Sequence, residues 1–151
     1  MANNSKAPTL NLSYVTEKFF PDTPPAAIND GKCFLWAFAG YMENLEDKRY
    51  DVKLCTLPDS SKHGNHAFLK MNNTFYDAEA HLGVAAWRYL PFVRLYENTR
   101  KVHIKNHEVI VHESVGHFTD YWGFDPGNDL REFADKHFPD FALLLPTDNM
   151  N

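Results

Sequence analysis

The sequence lacks the features that would assign it to several large classes of protein. It has only two cysteines, Cys33 and Cys55, which could form one bond but do not indicate a disulfide framework. No apolar run approaches the roughly 20 residues of a membrane-spanning helix, and the N-terminal residues lack the apolar core of a signal peptide. These absences favour a cytoplasmic protein with reduced thiols and no membrane partner.

An excess of basic residues is also absent. Lys and Arg total 15 against 20 Asp and Glu, which gives a net charge of -5, and there is no long basic run. Binding to nucleic acid through phosphate neutralisation is therefore not expected.

Apolar and aromatic residues, by contrast, are plentiful. The chain is 44% hydrophobic and 15% aromatic, with 12 Phe, 7 Tyr and 3 Trp among its 151 residues. This composition supplies a packed core of the size that one domain needs. We find no repeat and no linker, so we expect a single domain over residues 1–151, with residues 1–7 as a flexible tail.

The segment Gly31–Gly40 organises the rest of the chain. Apolar residues recur at three- and four-residue steps from Lys32 to about Glu46, which predicts a helix with one buried face. Cys33 then lies in the first turn, where unpaired N–H groups and the helix dipole stabilise a thiolate. The alternative is that Cys33 is a small buried hydrophobic residue.

The residues after this helix predict an antiparallel sheet. Tyr50–Leu57 alternates as a strand does, and His66–Met71 and Thr74–Glu79 flank Asn72-Asn73, a pair that tolerates the backbone of a tight turn. In the simplest register Met71 faces Thr74, which places His66 and Asp77 on the same face as diagonal neighbours.

Other segments give weaker patterns. Residues 10–19 fit either a helix or a strand, and the prolines before and within Asp22–Asp30 predict a loop. Asn128 is expected to cap a helix that runs through His137. Strand-like alternation or a short apolar run occurs in three later segments: Phe92–Tyr96, Lys101–His112 and Phe141–Leu145.

Cys33, His66 and Asp77 together supply what a cysteine enzyme needs: a nucleophile, a base and a group that orients the base. His63 is an alternative base and Glu79 an alternative orienting acid. The ordered motifs resemble those of the papain-like superfamily in its transglutaminase-like, circularly permuted form, and they are Gly31-x-Cys33, His66-Ala67-Phe68 and Phe75-Tyr76-Asp77.

The resemblance implies an α+β fold in which the helix that carries the cysteine packs on an antiparallel β-sheet. It implies that Cys33 is the nucleophile, His66 the general base and acid, and Asp77 the orienting residue, without a cofactor. The Cys33 N–H would contribute to an oxyanion hole. Asn29 and Trp36 are further candidates for oxyanion or substrate contacts, although they also fit a turn residue and a core residue.

The intervals between these motifs are short for transglutaminases and acetyltransferases, which favours a compact, phage-type or bacterial accessory member. We expect a cysteine hydrolase, a peptidase or amidase, that forms an acyl-enzyme with a protein or peptide substrate. Two alternatives remain open: transfer of the acyl group to an amine, and a catalytically silent protein that binds and modulates a larger assembly.

The later histidines raise the separate question of a metal site. His103, His107, His112 and His117 could cluster, and imidazoles are common zinc ligands. However, His112-Glu113 is followed by His117 one residue too late for the H-E-x-x-H motif. We therefore expect scattered surface histidines and no metal, and we expect Cys55 to be a core thiol.

Overall fold

The structure, a computed structural model, describes residues 10–57, 66–100, 108–122 and 129–142. The predicted tail over residues 1–7 and the residues His63, His103, His107 and Asn128 lie outside this part of the chain. The helices are α1 (Ser13–Phe19), α2 (Pro25–Asn29), α3 (Cys33–Asn44), α4 (Pro91–Arg100), α5 (Val115–Trp122), α6 (Asp129–His137) and α7 (Pro139–Ala142), and a 3-10 turn spans Trp87–Tyr89. The strands are β1 (Val52–Leu57), β2 (His66–Met71), β3 (Thr74–Tyr76) and β4 (Ile110–His112).

The four strands form one antiparallel sheet in the order β3-β2-β1-β4. Helix α3 packs across β2 and β1, so the fold is α+β with the cysteine on a helix against the sheet, as predicted. None of the helices in the described ranges has the length and apolar character needed to cross a bilayer.

Helix α3 forms where its apolar periodicity predicted it. Its residues Trp36, Ala37, Phe38 and Ala39 are almost completely buried. At Gly40 an added Cβ would lie only 2.6 Å from the Leu69 side chain of β2. Glycine at this position therefore lets the helix axis approach the sheet closely, and that approach brings the start of α3 to the strands.

The hairpin has the predicted register. Met71 faces Thr74, Lys70 faces Phe75 and Leu69 faces Tyr76. Asn72 adopts a positive φ of 58° in the turn, a conformation that asparagine tolerates better than most residues. The ladder ends at Tyr76, three residues before the predicted end of the strand.

Two other predictions are wrong because proline was treated only as a residue that interrupts regular structure. Residues 25–29 form helix α2 and not a loop, since Pro25 occupies the first helical position, where its missing N–H costs nothing. The same holds for Pro91, which begins α4. Phe92–Tyr96 therefore lies in a helix, and its short alternation was not evidence for a strand.

Among the remaining segments with weak patterns, some have the expected structure and some do not. Residues 13–19 are helical, helix α6 ends at His137 as expected, and Ile110–His112 is the part of Lys101–His112 that is a strand among the described residues. Phe141 lies in α7 and not in a strand, and its ring packs tilted against Phe38 in an aromatic group that joins α1, α3, α6 and α7. That group contains Phe19, Phe38, Phe133, Phe138 and Phe141.

Candidate active site

Cys33 is the first residue of α3, so its backbone N–H has no acceptor within the helix. Its side chain is directed at strand β2, where its sulfur accepts a hydrogen bond from the Ala67 N–H at 3.4 Å. The contact is possible because β3 pairs only with residues 69–71 of β2. The early end of β3 thus leaves an open stretch of strand edge, and the cysteine occupies it.

His66 and Asp77 form the contact that the hairpin register predicted. His66 Nε2 lies 2.8 Å from Asp77 Oδ2, and each residue is only 1% exposed. His66 begins β2, whereas Asp77 directly follows the last residue of β3. The two side chains therefore meet just beyond the last pair of the ladder.

The Asp77 carboxylate also ends the strand. Its Oδ1 accepts hydrogen bonds from the Glu79 N–H at 3.0 Å and the Ala80 N–H at 2.7 Å. A side chain that captures the backbone two and three residues later turns the chain out of the ladder. The expectation that the strand continues to Glu79, opposite His66, is therefore wrong.

The charges in this group support one another. Burial alone lowers the pKa of His66, but the hydrogen bond that His66 donates to Asp77, and the hydrogen bond and charge of Cys33, raise it to about 9. Burial raises the pKa of Asp77. The hydrogen bond and charge of His66, together with smaller contributions from the Ala80 N–H and the Asn29 side chain, outweigh burial and bring the pKa below its usual value. At neutral pH the structure thus favours an imidazolium beside a carboxylate.

The second nitrogen of the imidazole, Nδ1, is the one that can interact with Cys33. Because Nε2 is directed at Asp77, the Cys33 thiol acts on His66 from the Nδ1 side. Nδ1 is buried and has no hydrogen-bond partner among the described residues, although Cys33 is close enough to raise the pKa of the ring. Such loose contacts are common in active sites without substrate and tighten when substrate binds.

Aromatic rings enclose the imidazole. Phe92 of α4 stacks on His66 with centroids 4.6 Å apart and planes 19° apart, and Phe68 stacks at 5.7 Å. Half-buried Phe92 separates the ring from solvent. Sequence reasoning missed this residue because β3 and the 3-10 turn separate β2 from α4 in the chain. No local pattern therefore indicates that Phe92 contacts His66.

The two further candidates have different surroundings. Asn29, the last residue of α2, is 1% exposed and donates from Nδ2 to Glu79 Oε1 at 3.0 Å, so it lies beside Asp77. Trp36 is buried and donates from its indole nitrogen to Thr16 Oγ1 of α1 at 3.0 Å. Its part in substrate binding stays a prediction, and the described contact belongs to the core.

The other cysteine and the later histidines form separate environments. Cys55 is fully buried, as predicted, and burial raises its pKa to about 12. His112 is buried between Thr56 Oγ1, 2.7 Å from its Nε2, and His117 Nδ1, 2.8 Å from its own Nδ1. Within the described ranges no three or more potential ligands are grouped to hold a metal ion.

No protein-family model, curated protein or solved structure matches this chain. Interpretation of the site therefore depends on the geometry and chemistry of its own residues.

Proposed function

We propose that this protein is a cysteine hydrolase, a peptidase or amidase, built on a papain-like fold of the transglutaminase-like type. The observation that carries the proposal is the 2.8 Å contact of His66 with buried Asp77, on the imidazole whose pKa Cys33 also raises. A buried carboxylate, an imidazolium and a sulfur at a helix start are the three parts of a nucleophilic cysteine centre.

The geometry supports a two-step mechanism. The Cys33 thiolate attacks the carbonyl carbon of a peptide or side-chain amide, and the backbone N–H of Cys33 donates to the oxyanion that forms. The imidazolium of His66 transfers a proton to the leaving amine as the C–N bond breaks, which leaves an acyl-enzyme. Neutral His66 then removes a proton from water, and the resulting hydroxide attacks the thioester and releases the acid and Cys33.

Asp77 remains ionised throughout this sequence. It orients the ring so that Nδ1 is available to sulfur and substrate, and it stabilises the imidazolium in the resting enzyme. Water is the expected acceptor because it is present in every active site that a substrate can reach.

One observation favours a second candidate, a catalytically silent protein that binds a partner. Cys33 is only 5% exposed, and His66 and Asp77 are 1% exposed each. Phe92 covers the imidazole as well. A site this enclosed must open before a polypeptide can reach the sulfur, and a protein that never opens would keep the three residues only as part of its core.

A chromogenic ester distinguishes the two candidates. With p-nitrophenyl acetate, the hydrolase is expected to release a burst of one equivalent of nitrophenolate and to carry the acetyl group on Cys33, located by mass spectrometry of peptides. Cys33→Ala should abolish the burst, and Cys55→Ala serves as the matched control that retains it. Acetylation of the C33A variant to the same extent, or no acetyl group on Cys33 of the wild-type protein, would contradict the proposal.

A further inference from the structure

We infer that Asn29 is a positioning residue that, through Glu79, ties the turn that holds the Asp77 carboxylate to the chain that carries Cys33. This inference rests on the proposed function, and it differs from the expectation that Asn29 donates to an oxyanion. The relevant contacts are those of the buried Asn29 amide with the Glu79 carboxylate and of the Glu79 backbone N–H with Asp77.

The amide nitrogen of Asn29 already has an acceptor. A primary amide has two N–H groups, both on Nδ2. Nδ2 donates to Glu79 Oε1 at 3.0 Å, and a hydrogen bond from Asn29 is among the contributions that lower the pKa of Asp77. Asn29 Oδ1 is buried and has no hydrogen-bond partner within the part of the chain that the structure describes.

This orientation of the amide is fixed by charge. Rotating the group by half a turn would direct its carbonyl oxygen at Glu79 and replace an attraction with a repulsion. The atom left for a substrate is therefore an acceptor, and an acceptor cannot stabilise an oxyanion. An orphaned buried acceptor is itself unfavourable, so the amide is retained for what its N–H groups do.

The contacts complete the surroundings of Asp77. A carboxylate offers about four sites for donors, and Asp77 receives hydrogen bonds from His66 and from the Glu79 and Ala80 N–H groups, while Asn29 holds the Glu79 side chain next to it. With these three hydrogen bonds in place the carboxylate has one orientation, in which Oδ2 is directed at the imidazole.

Asn29 also links the two halves of the site. It precedes Cys33 by a single tight turn, in which Gly31 has a φ of 129° and the Lys32 N–H donates to the Ile28 carbonyl at 2.8 Å. The amide thereby connects the segment that carries the nucleophile to the hairpin that carries its base. Loss of this link is expected to misalign sulfur and imidazole, which is costly in near-attack geometry.

The test measures alkylation of Cys33 by iodoacetamide, quantified by mass spectrometry at pH 6.5. We expect Asn29→Ala to slow alkylation on the order of ten-fold and to raise the midpoint of Asp77 in a carbon-13 NMR titration. The matched control is Asn44→Ala, which removes another buried asparagine whose Nδ2 donates to Tyr14 and Gly40 at 2.9 Å each. N44A should lower the melting temperature and leave both measurements unchanged.

A second variant keeps the test valid if N29A does not fold. Glu79→Ala removes a half-buried side chain and frees one N–H of the amide, so it should shift both measurements in the same direction and by less. Unchanged alkylation and titration in whichever of N29A and E79A fold, or an equal loss in N44A, would overturn the inference. If instead His66→Gln leaves alkylation unchanged, the proposed function fails, while the Asp77 titration still decides the role of Asn29.

Discussion

Two buried histidines of the same sheet, His66 and His112, are in opposite states of charge. Both have almost no exposed surface, and both have a ring nitrogen within 2.8 Å of an oxygen. Yet the pKa of His66 is raised to about 9, and the pKa of His112 is lowered to about 4. Burial acts in the same direction on each ring, so it does not explain the difference.

The groups that contact each imidazole explain the difference in pKa. His66 is beside the Asp77 carboxylate and the Cys33 sulfur, which both favour the imidazolium. His112 contacts the neutral hydroxyl of Thr56, and the electrostatic effect of His117 adds to that of burial in lowering the His112 pKa. A histidine in this sheet is charged where an anion is buried with it, and that is also where the nucleophile lies.

Removing the anion should have the largest effect. Asp77→Asn is expected to destabilise the fold by about 3 kcal/mol at pH 7, because it breaks a buried ion pair by removing one member. The pKa of His66 should then fall from about 9, towards the lowered pKa of His112, because two of the causes that raise it are removed. Urea unfolding and NMR titration of the imidazole protons measure these effects, and Asp51→Asn, at an exposed acid, is the control that should change neither.

The same contrast predicts the dependence of stability on pH. The folded-state pKa of His66 is above its unfolded value, so its contribution is complete below pH 6.5 and is lost as pH rises through about 9, a loss of about 3 kcal/mol. Asp77 contributes above its unfolded pKa of 3.8, and that contribution is lost as pH falls through its lower folded value. His112, whose folded pKa is about 4, makes the fold less stable as pH falls from 6.5 towards 4.

Stability should therefore be greatest near pH 6.5. His66→Gln should remove the alkaline decline, and His112→Gln should reduce the acid one. Denaturant unfolding from pH 4 to 10 provides the measurement, and an alkaline decline that persists undiminished in H66Q would contradict the assigned charge of His66.

A smaller effect is expected at the neutral histidine. Thr56→Val deletes the hydroxyl that contacts His112 Nε2 and should cost about 1 kcal/mol, the net value of one buried hydrogen bond. The titration of His66 should not change, because the hydroxyl is not part of its surroundings. A shift in the His66 midpoint in T56V would show that the two histidines are coupled.

The smallest effect is expected at the exposed member of the pair. His117→Ala removes the Nδ1 contact with His112 and should cost about 0.5 kcal/mol, the low end of the net value of a hydrogen bond, because His117 is exposed and water can take its place. It should raise the pKa of His112, because burial and the electrostatic effect of His117 are the two causes that lower this pKa. Histidine NMR titration of H117A measures the shift, and a lower His112 midpoint would reverse the interpretation.

The parts of this site that could be predicted depend on local patterns. The periodicity of Lys32–Glu46 positioned Cys33 at a helix start, and the Asn72-Asn73 turn fixed a register in which His66 reaches Asp77. Both signals lie within a few residues of what they specify. The resulting α+β arrangement, with α3 on the antiparallel sheet, agrees with these expectations.

The missed parts depend on side chains that act over a distance or against the backbone. Asp77 stops β3 by capturing the Glu79 and Ala80 N–H groups, a choice that strand periodicity does not encode. Phe92 reaches His66 only after α4 has packed on the sheet. The partners of Asn29 are set by the fold. Its residue type alone therefore suggested a hydrogen-bond donor without showing which group accepts the hydrogen bond.

The most direct test of the central claim is the rate of iodoacetamide alkylation of Cys33 as a function of pH, in the wild-type protein and in H66Q. If Cys33 and His66 form a thiolate–imidazolium pair, Cys33 should react rapidly at pH 6.5, well below the value of about 8.5 for a free thiol, and this reactivity should be lost in H66Q. If Cys33 reacts only as the pH passes about 8.5 and equally in both proteins, or no faster than buried Cys55, the site is not a nucleophilic centre.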